Sequence, residues 1–237
     1  MISFKLTHVP FTYAGSRLVF RELPADGGKP AGLYLCYIPK GPIFYVEILK
    51  NNQYIVFEKI ATPQSLILKA SHGYAEIIFE NSNRIRCRVD GIVMKFGAGG
   101  GVYNYALQRN SNLWQINMLN ARTNFLITNI GGKITVNAPW RATRADYIDV
   151  RFDGEKQQTE TIIETFLSSI PSTADKISFE TARNNTFAEF NKFLKKIPPV
   201  HEEFKETREL AAYVLWSALV NPSGQLKRRT ILMSKNH

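Results

Sequence analysis

The sequence predicts a mainly β protein: a large antiparallel β-sandwich followed by a short α-helical C-terminal segment. Three observations predict it. About a dozen strand-like runs occupy residues 2 to 153 with no helical pattern between them. The clearest of these runs alternate strictly: Trp114, Ile116 and Met118 against Gln115 and Asn117, and Ile148, Val150 and Phe152 against Asp149, Arg151 and Asp153. Period 2 with one polar face marks half-buried antiparallel strands. Beyond residue 158 the apolar spacing lengthens to that of helices.

The β region is punctuated by turn formers. Asp26-Gly27-Gly28 ends one strand, Pro39-Lys40-Gly41-Pro42 separates two more, and Asn81-Ser82-Asn83 reads as a hairpin turn between residues 74–80 and 84–89. Strands in series without crossover helices favour a sandwich of two sheets.

Three helices are expected after it. Ile163, Phe166, Leu167 and Ile170 fall at i, i+3, i+4 and i+7, with Thr161 and Glu164 spaced as a capping box and Pro171 as the stop. A second helix is expected over residues 178–196, with Ala182, Phe190, Phe193 and Leu194 on one face and Lys195 and Lys196 in the last turn. The third begins near residue 203. From Leu210 to Val220 only Ser217 is strongly polar, the pattern of a helix buried all round. Eleven such residues are too few for a bilayer, which needs about 20. This helix therefore wants neighbours on every side. The boundary is expected near residue 172, giving a sandwich over 1–171 and helices over 172–237.

The 237 residues carry a formal charge of +10, which permits nucleic acid or an acidic surface as partner without demanding either. Cys36 and Cys87 lie in strand-like runs and read as small buried hydrophobes. With no Cys-x-x-Cys pair, no His-Glu-x-x-His and no metal spacing among His8, His72, His201 and His237, no metal or other cofactor is expected. Without a signal peptide or a transmembrane run, a cytoplasmic protein is expected.

Gly97-Ala98-Gly99-Gly100-Gly101 is the densest glycine tract. It is followed by strand-like residues rather than a helix N-terminus, so it reads as a flexible hairpin loop and not a phosphate cradle. Arg84, Arg86 and Arg88 share a strand face and could track a phosphate backbone, with Tyr103, Tyr105 and Trp140 as stacking platforms; the plainer reading is a solvated outer face. Lys227-Arg228-Arg229 reads as a solvated turn. Asp149 and Asp153 share a face with Arg151 between them, which is not the facing pair of carboxyls that glycoside hydrolysis needs.

The stretch Leu210-Ala-Ala-Tyr-Val-Leu-Trp216, followed by Gly224, the basic run and Met233-Ser234-Lys235-Asn236, resembles a segment of the (α/α)-barrel glycoside hydrolases. That group includes family 63 α-glucosidases and glycogen-debranching-like enzymes. The sequence departs from the pattern at His237, where an aromatic residue is expected. The resemblance implies an extended β-sandwich, or supersandwich, leading into the first helices of a barrel. It places the catalytic acids in that barrel, so none is assigned here. It implies an α-glucoside-type carbohydrate and a helical barrel as partners, with self-association as another way of covering the third helix. Trp140, Trp216, Lys235 and Asn236 are the candidates for contact with sugar or barrel. A free-standing carbohydrate-binding sandwich, with Trp114, Trp140 or a tyrosine as platform, is the alternative, followed by a basic nucleic-acid module.

Overall fold

The computed structural model describes residues 2–168, 170, 177–222 and 225–232. The first strands are β1 (Phe11–Thr12), β2 (Leu18–Leu23), β3 (Gly32–Tyr37), β4 (Gly41–Lys50), β5 (Gln53–Tyr54) and β6 (Glu58–Ala61). They are followed by β7 (Leu66–Ala70), β8 (Gly73–Asn81), β9 (Arg84–Asp90), β10 (Val93–Val102), β11 (Tyr105–Asn110) and β12 (Leu113–Met118). Then come β13 (Thr123–Gly131), β14 (Lys133–Asn137), β15 (Trp140–Arg141), β16 (Arg144–Asp153) and β17 (Thr159–Phe166). Two helices, α1 (Phe179–Leu194) and α2 (Lys205–Ala218), precede the short strands β18 (Leu219–Val220) and β19 (Thr230–Ile231).

Two antiparallel sheets form the sandwich. One runs β1-β2-β3-β4-β10-β16-β14, with β5 on β4 and β15 on β16. The other runs β11-β12-β13-β17-β9-β8-β7-β6. The alternating residues behave as their period demands: Ile116 and Met118 from one sheet, and Ile148, Val150 and Phe152 from the other, all enter the shared core. Phenylalanines span the gap, with Phe44 meeting Phe125 edge-on at 5.1 Å between centroids. The mainly β reading holds.

The helix expected over 163–170 is instead the strand β17, placed between β13 and β9. Its residues are largely β-branched, stiff at χ1 and at home on a pleated surface. Ile162 and Ile163 are buried on opposite faces, so the short apolar run that mimics helical spacing belongs to a central strand. Thr161, read as a helix cap, pairs with Cys87 in mid-strand.

The glycine tract is also strand, not loop. Residues 97–101 continue β10 and pair with β16, Gly97 opposite Asp149 and Gly99 opposite Tyr147. Gly100 allows close backbone approach, because a Cβ there would lie 2.4 Å from the Ala145 carbonyl oxygen.

The second expected helix is present as α1. Ser178 caps it, its hydroxyl accepting from the Thr181 N–H at 3.1 Å. Phe179, Ala182, Thr186 and Phe190 form its buried stripe, and Thr186 donates to the carbonyl of Phe79 on β8.

Candidate functional surfaces

The third helix, α2, is amphipathic in place rather than buried all round. Ala212, Tyr213, Trp216 and Ser217 face inward. Tyr213 stacks on Phe4 at 4.4 Å, while Trp216 lies edge-on to Tyr13 at 4.9 Å and to Phe190 at 5.7 Å. Burial pushes the Tyr213 phenol well above its ordinary range, so it remains a neutral hydrogen-bonding group. Arg208 ties α2 to the end of α1, donating to the carbonyls of Leu194, Ile197 and Pro198 at 2.7 to 2.9 Å. The joint closes at Gly15, whose N–H donates to Leu219 and whose carbonyl accepts from Asn221. Gly15 has φ +89°, and a Cβ there would sit 2.5 Å from the Asn221 side chain, so only glycine fits.

The opposite side of α2 is apolar and open. Val214 and Leu215 are 41% and 45% exposed, and Ala211 is exposed beside them. The pairing of Leu219 with Ile231 brings a further exposed apolar residue to the end of the helix. Half of the expected all-round burial is therefore met by the chain's own residues, and half is unmet.

The arginine stripe is not a solvated outer face: its guanidiniums are engaged by glutamates. Arg84, Arg86 and Arg88 on β9 stand between glutamates of the two neighbouring strands. Arg86 is 1% exposed, 2.5 Å from Glu80 and 3.0 Å from Glu160, and donates to the Ile177 carbonyl at 2.7 Å. Arg84 pairs with Glu80 and Glu164, and Arg88 with Glu160 and Glu180. Arg88 also lies over the Phe179 ring at 4.1 Å. The hydrogen bond from Arg88 holds the Glu180 carboxyl down at about 2. This cross-strand charge ladder fastens the start of α1 to the sheet.

A second buried cation, Lys95 on β10, sits 2.6 Å from Glu47 and 3.8 Å from Asp149, and donates to the Tyr54 hydroxyl at 3.1 Å. Burial pulls its ammonium down, but Glu47, Tyr54 and Asp149 outweigh that and leave it above its ordinary value. Asp149 thus serves a structural ion pair. Cys36 and Cys87 are free and buried, and burial pushes the Cys36 thiol up to about 11. Among the described residues no cluster of His, Cys, Asp and Glu is placed to hold a metal ion. None of the described helices is long and apolar enough to cross a membrane.

The sequence candidates for sugar or barrel contact separate in space. Trp140 is 52% exposed on β15, with Tyr105 edge-on at 6.4 Å. Trp216 is 4% exposed and fills the joint as a core residue. Its aromatic neighbours are Tyr13 from the β region, Phe190 from α1 and Tyr213 from its own helix, and helical spacing does not reveal the first. Lys235 and Asn236 lie outside the described residues. Trp114 is half-buried against the sandwich core.

A tyrosine-lined slot was not legible beforehand. It lies where β4 and β10 part, with Tyr34 and Tyr45 at one side and the glycines of β10 at the other. The nearest signal was the proximity of Pro42 to a run of tyrosines, which does not say which strand faces the glycines.

No family model matches this sequence, and no curated protein matches it. Among solved structures the chain is similar to a protein described as a kojibiose phosphorylase from the human microbiome, with TM-score 0.52 and 9% identity. The similarity covers 90% of this chain and 40% of the other, so this chain spans less than half the length of that protein. At that identity the likeness is one of fold, and it lends no support to family 63 in particular. The sandwich with its helical tail is therefore an architecture that a protein described as a sugar phosphorylase also contains.

Proposed function

We propose that the chain is the non-catalytic β-sandwich part of an α-glucoside-processing enzyme of the glycoside hydrolase kind, seated against a helical catalytic unit. The observation that carries this reading is the uneven fold match, nearly all of this chain against 40% of a longer carbohydrate-active protein. The open apolar side of α2, with Val214 and Leu215, supplies a surface for such a unit. Charge pairing supports the non-catalytic part of the proposal: Asp149, Glu160, Glu164 and Glu180 are engaged with Lys95 or the arginine ladder. A cytoplasmic location belongs to the same proposal.

The test is an assay of the purified chain with maltose, kojibiose and a chromogenic α-glucoside, with and without inorganic phosphate. No turnover is expected under any of these conditions. Robust turnover that survives repurification would overturn the proposal.

A further inference from the structure

Strands β4 and β10 begin as partners and then separate. They pair from Leu49–Val93 to Tyr45–Gly97, where the ladder stops although both strands continue. The cause lies in β4. Opposite β3 the register shifts between Leu35 and Cys36, so that Ile43 is an extra residue, and Pro42 follows on the same side of the break. An extra residue bends its strand, and proline has no N–H to give a ladder. Beyond this point β4 follows β3 while β10 follows β16.

The fork opens a slot of about 420 Å³. One wall is the β10 edge at residues 98–100, beyond its last pair with β4, where the absence of large side chains leaves the backbone within reach. The opposite wall is Lys40, Pro42 and Tyr45, and Asn120 also lines the slot. Tyr45 is held rigidly: its ring packs on Tyr34 at 4.9 Å and so close to Gly32 that a Cβ there would lie 2.6 Å from it. A preset aromatic wall facing backbone donors and acceptors suits a ligand with an apolar face and a hydroxylated rim.

We infer that the fork between β4 and β10 is a saccharide-binding slot taking one or two sugar rings, stacked beside Tyr45 and hydrogen-bonded to the backbone at residues 98–100. The choice of saccharide rests on the proposed function; the slot's geometry does not.

The experiment exploits Gly99. A Cβ at this position meets nothing within 4 Å, so Gly99→Leu is tolerated by the fold and adds bulk at a residue that lines the slot. Glucose, maltose, kojibiose and maltotriose are titrated into the full chain by calorimetry and by chemical-shift perturbation of the backbone amides. Saturable binding that perturbs residues 98–100 is expected with at least one of them. Gly99→Leu and Tyr45→Ala should each weaken it by about tenfold or more, with unchanged circular dichroism for Gly99→Leu. Equal affinity in Gly99→Leu, loss in Trp140→Ala without loss in Gly99→Leu, or no saturable response to any of the four sugars would each overturn the inference. Catalytic turnover by the chain would overturn the proposed function while leaving this binding result to stand or fall separately.

Discussion

The hydroxyl of Tyr213 on α2 meets the backbone of Thr12 on β1 from both sides, accepting from its N–H at 3.2 Å and lying 3.3 Å from its carbonyl. The carbonyl of Pro10 is also 3.3 Å away. One phenol thus binds the helical segment to the first strand across 201 residues of chain. Tyr213→Phe keeps the ring and strands these backbone groups without a partner. It should destabilise the protein by about 1–3 kcal/mol. Chemical denaturation at constant m-value measures this, and a loss below about 0.5 kcal/mol would show that the helix is not anchored there.

Arg86 stands at the centre of the charge ladder, and its removal leaves Glu80 and Glu160 facing each other without it. Arg86→Met should cost about 3–5 kcal/mol, the penalty of breaking one side of a buried ion pair. Arg84→Met should cost less, because that guanidinium is 16% exposed and partly wet. Equal losses in thermal unfolding would mean that burial does not set the strength of these pairs.

Acid should loosen the start of α1 before it unfolds the sandwich. The Glu180 carboxyl is lowered from 4.5 to about 2 chiefly by its hydrogen bond from Arg88. A depressed folded-state value means that the contact contributes above pH 4.5 and fades as pH falls toward about 2. Amide exchange around residues 179–182 should quicken across that window, and Glu180→Gln should flatten the response. An unchanged profile in Glu180→Gln would assign the acid sensitivity elsewhere.

The outward side of α2 predicts self-association when nothing else covers it. Leu215→Glu with Val214→Glu should reduce hydrophobic-dye binding and sharpen sedimentation to a monomer. Being exposed, the two changes should alter stability by about 0.5 kcal/mol or less each. A parent protein that is already monomeric and binds no dye would remove the case for a docking face on this helix.

Readings from sequence succeeded or failed according to how local their causes are. Residues 113–118 and 147–153 could be read because alternation is a property of each strand alone. The run from Ile163 to Ile170 misled because a short apolar stretch has no period of its own, and only pairing with β9 and β13 makes it a strand. The glycine tract reads as a loop because flexibility is visible in composition while the β16 ladder that straightens it is not. Arg84, Arg86 and Arg88 were correctly placed on one face, but the glutamates that bury them come from β8, β17 and α1.

By itself the sequence determined the mainly β architecture, a helix within residues 178–196 and the burial of both cysteines, because turn chemistry, side-chain periodicity and hydrophobicity act within a few residues. Tertiary structure alone decided that Trp216 is core, that the arginine stripe is paired with glutamates from β8, β17 and α1, and that β4 and β10 part to leave a tyrosine-walled slot. Each of these depends on which strands become neighbours, and that is settled by the packing of whole sheets rather than by any one segment.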